Sequence, residues 1–149
     1  MTRLVKTPEE IEKVRQSGRI AAHVLRKLKV AVEPGVSTFS LDKLARELIA
    51  KEGAKPAFLG YRPDGARYPY RFAICASLND GVVHGLPSSY RLESGDILKI
   101  DLGVNLEGGI SDTAVTIPIG SVPKNVLNLI NTTKNALREG IRVAKARHT

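Results

Sequence analysis

The sequence predicts an α+β fold in which an antiparallel sheet is covered by helices, and three observations carry that reading. Apolar residues recur at helical spacing between Thr7 and Gly53, alternate with a period of two in three later segments, and return to helical spacing from Pro123 onward. Consecutive strands with short connections pair antiparallel, because parallel neighbours need a crossover of about a dozen residues. No G-x-G-x-x-G or phosphate-binding loop motif argues for a doubly wound sheet.

The first helix is announced by Thr7-Pro8-Glu9-Glu10: Thr7 as N-cap, Pro8 at the first helical position and Glu10 closing a capping box. Ile11, Val14, Ala21, Ala22, Leu25 and Leu28 then form one stripe facing the core, and Glu33-Pro34-Gly35 ends it. A second helix starts near Thr38, carries Leu41, Leu44, Ala45, Leu48 and Ile49, and stops at Gly53. Residues 54–70, with three prolines and three tyrosines, read as an irregular loop on the surface or framing a cleft. Strands are predicted over 71–78, 97–104 and 110–117, the last two joined by the loop 105–108. Val126, Leu127, Ile130, Leu137, Ile141 and Ala144 mark the final helix.

The length of 149 residues fits one domain, and 42% hydrophobic with 26% charged residues is the composition of a soluble globule. The net charge of +8 is spread over helical segments, which favours solvated helix faces over a nucleic-acid patch. With Cys75 as the one cysteine, no internal disulfide or zinc-finger spacing exists. The charged start MTRLVKTPEE lacks the apolar run of a signal peptide, and nowhere do 18 apolar residues run together, so a cytoplasmic protein is expected.

Asp101 and Asp112 interrupt two strands, where aspartate is poorly tolerated. If residues 105–108 form a four-residue loop, Val104 faces Gly109 and Asp101 lies directly opposite Asp112, with β-carbons about 5 Å apart. Like charges so placed repel unless one takes a proton or a cation sits between them. Their hard oxygens suit a divalent metal. An exposed pair protecting a sheet edge explains them equally well. His84, in SLNDGVVHGLP, lies on the connection leading back to the strand of Asp101, whereas His23 and His148 are unremarkable.

SLNDGVVHGLP followed by GDILKIDLG and GGISDTAVT resembles the type I methionine aminopeptidases, metalloenzymes of the pita-bread fold that remove the initiator methionine. The likeness runs from TPEEIEKVRQSGRIAA through PGVST and LGY to the final helix. It implies Asp101 and Asp112 as metal ligands, Asp112 bridging two divalent ions such as Co, Mn, Fe or Zn. It implies His84 as the catalytic and substrate-contacting histidine, and Cys75 and Tyr61 as lining of the methionine pocket. The partner implied is the N-terminal peptide of a nascent polypeptide near the ribosome, with no membrane and no specific nucleic acid. Two metals about 3.5–4 Å apart can activate water and clamp a developing oxyanion.

The resemblance also makes residues 1–149 the N-terminal half of such a domain, because family members continue for roughly another hundred residues. That second half supplies a histidine and two glutamates to the metals, and a second substrate-binding histidine. Negligible peptidase activity and at most weak binding of a single ion are therefore expected of the 149 residues alone. A bare sheet edge and apolar face would favour self-association or pairing with another chain. Two alternatives are a non-catalytic binding module that uses the +8 charge on ribosomal or other RNA, and an obligate dimer whose copies share their aspartates.

Overall fold

A computed structural model of the chain describes residues 5–148. Residues 1–4, part of the charged start from which a signal peptide was judged absent, lie outside the described residues. The elements are α1 (Pro8–Ala31), α2 (Thr38–Lys51), β1 (Lys55–Pro56), β2 (Ile74–Leu78), β3 (Ile97–Leu106), β4 (Gly109–Pro118) and α3 (Lys124–Val143).

Both N-terminal helices start where their caps predict. The Glu10 amide donates to Thr7 Oγ1 at 3.2 Å while the Thr7 amide donates to Glu10 Oε2 at 2.6 Å, so the capping box is complete. Ser37 caps α2 by accepting from the Ser40 amide at 3.2 Å. The stripe of α1 buries Ser17, Ala21, Val24 and Leu28, while Ile11, expected in it, is 47% exposed near the helix start. Ser17 belongs there because its hydroxyl donates to the Val104 carbonyl at 2.8 Å.

The sheet is antiparallel throughout. β3 lies at its centre, paired with β4 on one side and with β2 and β1 on the other. Alternation along the strands sends Ile74, Ala76, Leu98, Ile100, Leu102, Val104 and Ile117 to one face, where they form a single core with Val24, Leu28, Leu41, Ala45 and Ile49 of α1 and α2. The opposite face presents Cys75, Ser77, Lys99, Asp101, Asp112 and Ala114. α1 and α2 thus cover one face and leave the other to form a site.

Three sequence expectations are corrected. The strand at 71–78 begins only at Ile74, because Asp42 Oδ1 accepts from the amides of Ala73 (2.6 Å) and Ile74 (3.2 Å) and ends the preceding loop there. Within the irregular stretch 54–70, Lys55 and Pro56 add a short strand against Asn105 and Val104. The hairpin turn is also shorter than expected: Asn105 and Leu106 remain in β3, and only Glu107 (φ 49°) and Gly108 (φ 88°) form the turn. Two positive φ values in a two-residue loop match the right-handed twist of the flanking strands. Asn105 Oδ1 closes it by accepting from the Gly108 amide at 2.9 Å.

α3 is helical as its spacing predicts, yet Ile130 is its one buried residue among those described. Leu129, Leu137 and Ile141 are 69%, 64% and 67% exposed, so its apolar stripe lies uncovered.

Candidate functional site

The shorter turn moves the β3–β4 register by two residues from the one expected. Asp101 lies opposite Ala114, and Asp112 lies opposite Gly103. The direct Asp101–Asp112 pairing is therefore corrected to a diagonal one. A shift of two preserves the strand face, whereas a shift of one would have put the carboxylates on opposite sides of the sheet. Diagonal neighbours remain within side-chain reach of each other.

Asp101 is half-buried and one of its oxygens, Oδ1, is buried with no hydrogen-bond partner. Burial pushes its carboxyl up to about 6, the Asp112 carboxylate adds to that rise, and His84 opposes it. Asp112 is exposed. An orphaned carboxylate oxygen beside a second carboxylate is costly for an apo chain and fits a hard divalent cation. Among the described residues no group of three or more His, Cys, Asp or Glu is arranged to hold a metal. At this site the described residues thus offer two oxygen-donor side chains and no complete ligand set.

His84 is exposed and held at φ 58°, in the left-handed region that non-glycine residues rarely enter. The residue after it explains how that conformation is maintained. Gly85 is clamped to β2: its carbonyl accepts from the Ala76 amide at 2.8 Å and its amide donates to Ser77 Oγ at 2.9 Å. A β-carbon on Gly85 would sit 2.5 Å from the Ala76 carbonyl oxygen, so glycine is required by the close approach. The other end of the loop is fixed by Asn79, at φ 46°, whose side chain accepts from the Ile97 amide at 2.9 Å and donates to Asp96 Oδ1 at 2.9 Å. Burial acts to raise the Asp96 carboxyl, but hydrogen bonds from Asn79, the Glu93 amide and Tyr90 outweigh it and hold the group below its ordinary value. Lys99, two residues before Asp101 on the same strand face, donates to the Asn79 carbonyl at 2.5 Å.

Cys75 is buried directly opposite Asp101 on β2, and burial pushes its thiol up. Tyr70 bridges the neighbouring loop to this strand, its hydroxyl donating to the Ile74 carbonyl at 2.9 Å. Its phenol is raised well above the usual range, chiefly by burial. Tyr61 is 62% exposed on the same loop.

All five residues singled out from sequence (Tyr61, Cys75, His84, Asp101 and Asp112) line one cleft of about 890 Å³. Phe58, Tyr68, Tyr70 and Phe72 make much of its wall. The stretch 54–70 does frame a cleft, as its composition suggested. Sequence reasoning missed the supports: Asp42, Asn79, Asp96 and Lys99 act through backbone hydrogen bonds that no residue pattern announces. The buried Asp42 also accepts from Arg46 Nε at 2.7 Å, one turn further along α2.

The model of metallopeptidase family M24 matches residues 12–149. Methionine aminopeptidase 1 of Bacillus subtilis (strain 168) is 39% identical over 142 residues, covering 95% of this chain and 55% of the relative. Methionine aminopeptidase of Aquifex aeolicus (strain VF5) is 43% identical over 136 residues, covering 91% and 53%. The crystal structure of a methionine aminopeptidase from Thermotoga maritima superimposes with a TM-score of 0.89 at 36% identity, over 97% of this chain and 56% of that one. The chain spans about half the length of the curated relatives it matches. The fold is accordingly the α+β pita-bread fold. No described helix is long and apolar enough to cross a membrane. On the match across most of its length, the chain belongs to metallopeptidase family M24.

Proposed function

We propose that this chain forms part of a metal-dependent aminopeptidase that removes an N-terminal methionine from polypeptides, as the names of its relatives state for those proteins. The observation that carries the reading is the orphaned Oδ1 of Asp101 beside Asp112 on the floor of an aromatic-walled cleft. Asp101 and Asp112 would hold a divalent ion. When bound, such an ion supplies Lewis acidity to a peptide carbonyl and to an attacking water.

The chain's own residues supply the rest of the reading. Cys75, Tyr61 and the neighbouring Phe58 and Tyr70 offer a methionine side chain polarizable and aromatic surface, which suits a flexible thioether. His84, held over the cleft by the Gly85 clamp, would hydrogen-bond the first peptide unit and orient it. The loop that bears it brings a fixed backbone, so little ordering entropy is spent on binding. At and below about pH 6 an ion must displace a proton from Asp101, because its carboxyl is raised to about 6 in the metal-free chain, and ion binding is expected to weaken as pH falls through that range.

With only two carboxylates and no group of three among the described residues, the 149-residue chain by itself is expected to bind one ion weakly and to release negligible methionine. The free outer edge of β4 and the uncovered stripe of α3 support association with further polypeptide. Peptide recognition is the part of the reading this chain can be tested on. In the presence of diamagnetic Zn²⁺, Met-Ala-Ser is expected to perturb the NMR signals of Tyr61, Cys75 and His84. The same peptide with its N-terminus acetylated is expected to leave them unmoved. Equal perturbation by both peptides would contradict an aminopeptidase site.

A further inference from the structure

The loop between Gly60 and Arg71 is more than a wall. It is closed at its neck by two hydrogen bonds, Gly60 amide to Tyr70 carbonyl and Tyr70 amide to Tyr61 carbonyl, both 2.8 Å. Within the loop, Arg62 Nε donates to the Ala66 carbonyl at 2.9 Å and braces the tip. Between them Tyr68 is 60% exposed, with the guanidinium carbons of Arg67 and Arg71 at 5.2 Å and 5.9 Å from its ring centroid. Such a contact engages the flat face of a guanidinium and leaves its in-plane N–H groups free. None of Arg62, Arg67 and Arg71 is in an ion pair among the described residues. Asp64 is the one acidic residue between residues 57 and 72, against those three arginines.

Tyr68 and Arg71 line the same cleft as Asp101, Asp112 and His84. The cleft is therefore electrically polarised, with carboxylates on its floor and the guanidinium of Arg71 on one wall, while that of Arg67 lies against the same Tyr68 ring at the rim. We propose that Arg67 and Arg71, held against Tyr68, select peptides that carry acidic side chains a few residues downstream of their N-terminus. The inference rests on the reading of the cleft as a peptide N-terminus site and adds a specificity to it. A peptide that places its N-terminus over the aspartate floor continues outward as extended chain, at about 3.3 Å per residue, and passes the wall. Arginine is the side chain best suited to receive a carboxylate there, since its fork pairs with both oxygens. Prepacking on Tyr68 reduces the side-chain freedom lost when the pair forms.

The test measures affinity of the whole chain, with Mn²⁺ present, for Met-Ala-Ser-Asp-Glu-Asp and for its neutral counterpart Met-Ala-Ser-Asn-Gln-Asn, at low and high salt. The acidic peptide is expected to bind about three- to tenfold tighter at low salt, as for one or two partly exposed ion pairs, and the advantage shrinks as salt rises. Arg67→Gln with Arg71→Gln removes the advantage, so that the acidic and neutral peptides bind the variant alike. Both side chains are exposed, and an unchanged melting temperature verifies that the variant is folded. Equal affinity for the two peptides, or a preference that persists in the double variant, overturns the proposal and leaves the peptide-site reading intact. A preference of undiminished size for N-acetylated peptides, or displacement of the acidic peptide by single-stranded RNA at lower concentration than by its own free form, also overturns it, since the loop would then be a general anion surface. If free and acetylated neutral peptides bind alike, the underlying reading fails as well, and that result is distinct from the others.

Discussion

Asp101 combines three properties that seldom occur together: a place in a central strand, an unpartnered buried oxygen and a second carboxylate on the same face. The first of these was legible as an aspartate breaking a strand pattern, and the shared face followed from counting in twos. The orphaned oxygen was not, because burial of a single atom depends on tertiary packing that no residue pattern announces. Its energetic consequence is a pH dependence with a definite sign. The folded metal-free chain holds the Asp101 proton more tightly than the unfolded chain, about 6 against 3.8. No penalty exists below the unfolded value, and the full penalty is present above the folded one. Asp101→Asn is therefore expected to stabilise the metal-free chain at pH 7 and to lose that gain near pH 4 in urea titrations. A variant equally stabilised at both values would mean that the carboxyl carries no raised pKa. Divalent ions should reverse the comparison at neutral pH, because they bind the wild type and not the variant.

The helices, the sheet and its hairpin show where pattern suffices and where geometry decides. The start of α1 was readable because Thr7 and Glu10 satisfy backbone amides by local, chemically specific contacts, and Ser37 does the same for α2 without having been announced. The turn was misjudged because Asn105 and Leu106 suit either strand or loop, and only the positive φ of Glu107 and Gly108 places the bend. β1 is two residues long and carries a proline, so no periodicity could announce it. The loop bearing His84 is an element in its own right, pinned by Asn79 at one end and Gly85 at the other. Gly85→Ala tests that pinning: the added carbon collides with the backbone of β2, 2.6 Å from Ser77 Cα, and cannot be relieved by a side-chain rotation. Two hydrogen bonds must lengthen, so a loss of about 1–3 kcal/mol is expected in urea denaturation. Shifts of the His84 amide and ring signals should exceed those elsewhere in the sheet. A fully stable variant with unmoved His84 signals would show that the clamp does not hold the histidine.

At the scale of the molecule, the core is one-sided. α1 and α2 cover one face of the sheet with a continuous apolar layer, while α3 leaves Leu129, Leu137 and Ile141 in solvent. That asymmetry was partly legible, since the amphipathic stripe of the final helix was plain in the sequence, but what covers a stripe is a tertiary fact. The net charge of +8 was read as spread over helix faces, and three further arginines, Arg62, Arg67 and Arg71, lie outside the helices on the cleft loop. Proximity to one aromatic ring, not spacing in the chain, gathers two of them. The bare stripe predicts concentration-dependent association: light scattering should register a rising mean mass, and Leu137→Lys with Ile141→Lys should return the chain to a monomer. A wild type that stays monomeric across the same concentrations would mean that the α3 stripe drives no association.

If Asp101 and Asp112 form the metal-binding floor of a peptidase cleft, as we propose, Mn²⁺ titration followed by NMR line broadening tests it most directly. One weak site is predicted, with broadening strongest at Asp101, Asp112 and His84 and abolished by Asp101→Asn, while the exposed control Asp80→Asn leaves it unchanged. Broadening scattered over surface carboxylates, or unaltered in Asp101→Asn, would contradict the account.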